Sequence, residues 1–156
     1  MKGFIMFFVG IIVGGLMVTV VVVVILPKQM FVVKESKLNF DETVDAIVQS
    51  AKEQKWNMPH QYDLQATMKK HGFSVKPVKV FSLCKPEHAY KILSSENERA
   101  VSALMPCRVA VYEKGGKTYV SMLNSGLFSK FMGKKVSEVM SAASAENQQI
   151  LTPVIQ

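Results

Sequence analysis

The sequence predicts an α+β protein: an N-terminal transmembrane helix followed by one domain with a mostly antiparallel sheet covered by helices on one face. Three observations carry this. Gly3 to Leu26 is a run of 24 residues without a charge, in which Thr19 is the only polar side chain. Residues 28–156 are the length of one domain able to bury its own core. Within them, short β-branched runs alternate with helical periodicity, and Gly115-Gly116 between two apolar runs is the clearest hairpin signal in the chain.

The first run is long enough, at about 1.5 Å per residue, to cross a hydrocarbon core of roughly 30 Å. Its valine block, Val20 to Val24, favours strand in water, but inside lipid only a helix satisfies every backbone polar group within one segment. Lys2 resembles the start of a cleaved signal peptide, yet the run is longer than a signal core and no Ala-x-Ala-like site follows at Leu26, Pro27 and Lys28. The reading is an uncleaved signal anchor over residues 1–27. Lysines flank it on both sides, Lys2 before and Lys28, Lys34 and Lys37 after, so the positive-inside rule leaves the orientation open. A two-residue N-terminal tail and a large C-terminal domain favour an exported, periplasmic domain. Gly10 and Gly14 form a Gly-x-x-x-Gly pair, the pattern of a helix packing face.

From residue 28 the elements follow in order. Met30 to Glu35 reads as a strand. Asn39 with Glu42 forms a capping box before a helix carrying Phe40, Val44, Ile47, Val48 and Ala51 on one stripe up to Lys55. Trp56 to Tyr62 is a short extended stretch interrupted by Pro59, which belongs at a sheet edge or bulge. Asp63 caps a short helix, Leu64 to Lys70, that stops at Gly72. Ser74 to Leu83 reads as a buried strand, and Pro86 opens a helix through Leu93. Arg108 to Tyr112 and Thr118 to Leu123 form the hairpin. Leu127 to Met132 is a short amphipathic stretch. Val136, Val139, Met140 and Ala143 mark a final helix, with Pro153 after its end.

Apart from Lys2, 18 Lys and Arg stand against 12 Asp and Glu, a net +6 for residues 28–156. That charge suits anionic lipid or an acidic partner. The lysines are dispersed and no aromatic-basic repeat occurs, so nucleic acid is not an expected partner.

The residues able to carry chemistry are few. Cys84 and Cys107 each stand beside a proline, one ending a strand and the other beginning one. If those strands are neighbours, the thiols meet at one end of the sheet. Three readings stay open: a disulfide closing a loop of about 23 residues and worth roughly 3 kcal/mol, a reactive or metal-ligating thiol pair favoured by Lys85 and Arg108, or inert core cysteines. His60, near Asp63, and His88, four residues after Cys84, are the soft ligands within reach; His71 completes the set. Asp63, His88 and Arg108 are secondary or orienting candidates. No Cys-x-x-Cys, Cys-x-x-Cys-His or His-Glu-x-x-His motif is present, which argues against a structural zinc and a covalently attached haem. The ten methionines are scattered and read as core filling. No nucleophile elbow, phosphate loop or paired carboxylates stand out, so no catalytic residue is assigned.

Several of these stretches taken together resemble the family called domain of unknown function 302. They are Phe40-Asp-Glu-Thr43, His60 with Asp63-Leu64, Lys70-His-Gly-Phe73, Phe81-Ser-Leu-Cys84 with Pro86, and Leu104-Met-Pro-Cys107-Arg-Val-Ala-Val-Tyr112. The likeness spans about residues 31–150. Trp56-Asn57 departs from it, standing where such proteins usually carry a glycine-containing turn. The resemblance implies a curved antiparallel sheet similar to the TATA-box-binding-protein half-fold, often dimeric, with no implication of DNA binding. It points to Cys84, Cys107 and His60 as the site and names no reaction.

The expected function is therefore a membrane-anchored extracytoplasmic binding domain. Its cysteines, with His60, would bind a transition metal or haem or undergo reversible oxidation, beside an electron-transfer or sulfur-metabolising system. The alternative is a non-catalytic accessory subunit docked in a larger membrane complex. The expected partners are the lipid bilayer and either a second copy or that complex.

Overall fold

A computed structural model describes residues 2–155. Met1 and Gln156, the outer limits of the two expected segments, lie outside the described residues. The chain divides into two compact units, residues 1–31 and 32–156.

The first unit is helical from Lys2 to Gln29: α1 (Lys2–Val20), a π-helical stretch (Val21–Ile25) and α2 (Leu26–Gln29). The π stretch coincides with the valine block. Thr19 donates its hydroxyl to the Gly15 carbonyl four residues back (2.9 Å), so its one polar side chain is satisfied within the helix. Met6–Gln29 is long and apolar enough to cross a membrane.

β1 (Phe31–Glu35) begins on the last residue of the first unit, and the second unit continues with α3 (Phe40–Glu53), β2 (Gln61–Asp63), α4 (Leu64–Lys70), β3 (Val78–Leu83) and α5 (Pro86–Leu93). A 3₁₀ segment (Arg99–Leu104), β4 (Cys107–Lys114), β5 (Lys117–Leu123), α6 (Ser125–Ser129) and α7 (Lys134–Leu151) complete it. The five strands form one sheet in the order β1-β5-β4-β3-β2. The β2–β3, β3–β4 and β4–β5 pairs are antiparallel. The sequence-based order of elements matches this architecture.

Local chemistry sets the element ends. The Asn39 side chain accepts from the Glu42 N–H (3.0 Å) and the Glu42 carboxylate accepts from the Asn39 N–H (3.2 Å), closing the expected capping box. Asp63 accepts from the Ala66 N–H at 2.7 Å to cap α4. Gly115 and Gly116, at φ of 60° and 75°, turn the β4–β5 hairpin where a side chain would strain the backbone.

One expected strand is shorter than its pattern. Ser74 to Pro77 stand outside β3, because the edge strand β2 is three residues long and its register ends at Asp63 opposite Lys79. The Pro77 carbonyl still accepts from the Glu113 N–H (3.1 Å), while Pro77 itself has no N–H to offer β2.

The core lies between the sheet and helices α3 and α7. Phe81, Leu83, Val109, Val111 and Val120 project from the central strands onto Ile47 and Ala51 of α3 and Ala143 and Ile150 of α7. A second, smaller cluster joins Ile92 of α5 to Val136, Val139 and Met140 of α7, with Met105 and Met132 packed against it. The alternation of strand residues turns Ala110 and Tyr112 to the other sheet face, where the Tyr112 and Tyr119 rings stack at 5.7 Å.

The connection after α3 resolves the Trp56-Asn57 departure. Lys55 takes the left-handed conformation (φ 59°), the Trp56 N–H reaches the Ala51 carbonyl (2.9 Å) and the Lys55 N–H reaches Lys52 (3.1 Å). This is a Schellman ending with lysine in the position that glycine prefers. Lys55→Gly is expected to raise stability by about 1 kcal/mol, the left-handed strain removed less the added freedom of the unfolded chain. A thermal or urea melt that shows no gain would refute this account of the turn.

Candidate functional site: a two-thiol pocket at one end of the sheet

The β3–β4 register pairs Leu83 with Cys107, so Cys84 and Cys107 meet at the same end of two central strands. Cys84 continues past β3 into an isolated bridge with Asn57, each donating its N–H to the other's carbonyl at 2.9 Å. That bridge holds the thiol-bearing backbone on both sides. Both cysteines are free and half-buried. They line one cavity of about 30 Å³ together with Trp56, His88, Met105 and Met140. That volume is about the share of one water molecule in the liquid, far below what a porphyrin needs.

Burial pushes the Cys107 thiol above its ordinary value, and a hydrogen bond with the Asn147 side chain offsets this in part. Cys84 adds a smaller upward push, because a second thiolate nearby repels the first. The thiols therefore sense each other.

Beside the cavity stands a carboxylate with three partners. Glu146, on α7, accepts from Lys85 Nζ (2.6 Å) and Trp56 Nε1 (3.0 Å) at one oxygen and meets His88 Nε2 at the other (2.9 Å). Burial alone would raise its pKa. The hydrogen bonds from Lys85, His88 and Trp56 outweigh burial and hold the carboxyl at about 2. The Trp56 ring lies 5.9 Å from the His88 ring and 5.9 Å from Lys85 Nζ. His88 is thus fixed on one edge by a permanent anion. Its Nδ1 is buried without a hydrogen-bond partner. Asn147 Oδ1 is buried and unpartnered in the same way.

The other sequence candidates lie elsewhere. His60 is exposed just before β2, its carbonyl accepting from the Ser82 N–H (2.9 Å) and its ring 6.1 Å from that of Tyr62. Asp63 is engaged as the α4 cap, and Arg108 is exposed on β4. His60 and Asp63 do not line the two-thiol cavity. Gly10 and Gly14 lie in α1, where a Cβ on either would meet no heavy atom within 4 Å. Among the described residues no three His, Cys, Asp or Glu side chains form a group able to hold a metal ion.

Glu146, Asn147 and Trp56 were not legible as site residues, and Lys85 entered only as a neighbour of Cys84. A signal for the first two existed. Both interrupt the apolar stripe Val139, Ala143, Ile150 on α7, and a charged or amide side chain on a core-facing stripe needs a partner.

Fold and pocket together define a class: an α+β domain on a five-stranded antiparallel sheet, with two thiols and a His–Glu pair gathered at one end. The chain belongs to the family described as domain of unknown function DUF302, whose model matches residues 32–154. Among solved structures it is similar to an uncharacterized conserved DUF302 protein from Bacillus stearothermophilus. The TM-score is 0.72 at 17% identity, covering 80% of this chain and 97% of that one. At that identity the likeness is one of fold. Comparison with curated proteins gives no match.

Proposed function

We propose that this protein is a membrane-anchored thiol module, its N-terminal helix spanning the bilayer and its domain on the extracytoplasmic side. There Cys84 and Cys107 would alternate between dithiol and disulfide in exchange with a disulfide-bearing partner of an electron-transfer system. The observation that carries this is the sharing of one cavity by two free thiols at adjoining strand ends. Cys84 stands one residue beyond Leu83, the register partner of Cys107. The cavity's size favours thiol exchange over haem, and the lack of a third ligand among the described residues favours it over a closed metal site.

The pair is asymmetric. Cys107 is held as a thiol by burial, so Cys84 is the attacking sulfur. Its proton leaves to solvent, and its thiolate attacks one sulfur of the partner disulfide. The partner's other sulfur departs as a thiolate, leaving a mixed disulfide. Cys107 then loses its proton and attacks Cys84 Sγ, releasing the partner's second thiolate. The domain ends as the disulfide and the partner as a dithiol, reduced by two electrons.

Oxidised glutathione is a suitable probe on the full chain in detergent, read by intact mass after alkylation. The wild type is expected to lose two hydrogens, Cys107→Ser to accumulate a glutathione adduct on Cys84, and Cys84→Ser to react at least tenfold more slowly. Circular dichroism verifies that both variants are folded. Faster reaction at Cys107, or no oxidation of the wild type, would overturn the proposal.

A further inference from the structure

We infer that the turn joining α6 to α7, residues 130–135, is a lipid-contacting surface that rests on anionic headgroups of the bilayer holding the N-terminal helix. This rests on the anchor proposed above and on features of the domain that the thiol chemistry does not use. Phe131 is the most exposed large apolar side chain among the described residues, at 79%. Lys130, Lys134 and Lys135 flank it, all exposed. No aspartate or glutamate occurs in the sequence between Glu113 and Glu138, the latter one helical turn past Lys134.

The turn is pinned rather than loose. Met132 packs inward against the Ile92, Val136 and Met140 cluster, and the Phe131 and Met132 N–H groups bond back to Phe128 (3.2 Å) and Ser129 (2.9 Å). Gly133, at φ 84°, then reverses the chain into α7. With its neighbour half-buried against that cluster, Phe131 is directed outward. An aromatic ring held outward among lysines has the composition of a side chain that settles at a membrane interface beside anionic lipid.

Topology supplies the second argument. Glu35, at the end of β1, bonds to Lys117 (2.8 Å) and Tyr119 (3.3 Å) at the start of β5. In an antiparallel arrangement the first residues of β1 therefore lie at the end of the sheet where β5 finishes and α6 begins. The chain arrives at that end from Leu26, the last residue of the apolar run, over the four residues 27–30. Four residues reach at most about 14 Å when fully extended, so the chain itself limits how far β1 can start from the apolar run. The cysteine cavity opens at the same end.

The fold contains its own control. Residues 69–76 form another exposed basic turn, with Lys69, Lys70 and Lys76 around Phe73 (63% exposed), but this one precedes β3, at the opposite end of the sheet. Similar composition in the wrong place should not find the bilayer.

The test is amide hydrogen exchange on the full chain in vesicles of phosphatidylcholine alone and of phosphatidylcholine mixed with phosphatidylglycerol. In the mixed vesicles, protection at residues 130–135 is expected to rise about fivefold or more, as one lysine alone is worth, with none at residues 69–76. Lys134→Glu with Lys135→Glu should abolish the rise, and Phe131→Ala should reduce it, while the domain keeps its circular dichroism. Unchanged exchange at 130–135, or equal protection at both turns, overturns the inference and leaves the anchor standing. A chain that fails to float with either vesicle overturns the anchor and this surface together.

Discussion

Replacing Trp56 by alanine is expected to cost about 3–5 kcal/mol, the largest effect of any single change considered for this protein. Trp56 is 4% exposed, sits in the main cluster with Leu83 and Ala51, and walls the two-thiol cavity. Its removal leaves a void that the rigid Asn57–Cys84 bridge prevents from closing. It also takes from Glu146 one of its three hydrogen bonds. Because Trp56 is the only tryptophan, the loss is read from far-UV circular dichroism in urea rather than from fluorescence. A change below about 1 kcal/mol would mean that the ring is not packed as described. Trp56→Phe separates the two contributions, since it retains most of the volume and loses the N–H; about 1 kcal/mol is expected for that hydrogen bond.

Glu146 is the second. Its carboxyl is held at about 2 against a reference of 4.5, so the folded state favours the ionised form. A depressed carboxylate contributes stability that is fully present above the reference value and lost as pH falls through the folded one. The contribution is therefore whole above about pH 4.5 and disappears between there and pH 2. About 30% of the side chain faces solvent, which screens the cluster, and about 2 kcal/mol is the expected size. Glu146→Gln should differ from the wild type by that amount at pH 7 and by little near pH 2. Urea midpoints across this pH range decide it, and a difference that does not narrow toward acid would remove the ion cluster as its source.

The two results bear on function because Glu146 orients His88, which lines the cavity that both thiols share. A glutamine in its place still accepts a hydrogen bond but carries no charge to hold Lys85 beside the cavity. A slower Cys84 reaction in Glu146→Gln, with the fold intact at pH 7, would tie the carboxylate to the chemistry rather than to stability alone.

Much of the fold was legible in the sequence because it is written in short-range terms. Asn39 with Glu42, Asp63 before its helix, Pro86 at a helix start and Gly115-Gly116 between apolar runs each act over a few residues. The meeting of Cys84 with Cys107 was legible conditionally, since it needed only that their strands be neighbours. His60 drew attention through its nearness in sequence to Asp63, yet that carboxylate is engaged by the Ala66 N–H.

By itself the sequence determined an apolar segment long enough to span a bilayer, the order of strands and helices, and the placement of one cysteine at each of two strand ends. These follow from hydrophobic periodicity and local hydrogen bonding, which need no partner distant in the chain. Only the tertiary structure decided which residues surround the thiols. Glu146 reaches Lys85, His88 and Trp56 across separations of 61, 58 and 90 residues. A carboxylate so placed is created by α7 packing over the end of the sheet, and no local pattern specifies where a helix laid across a sheet will set down a given charged side chain.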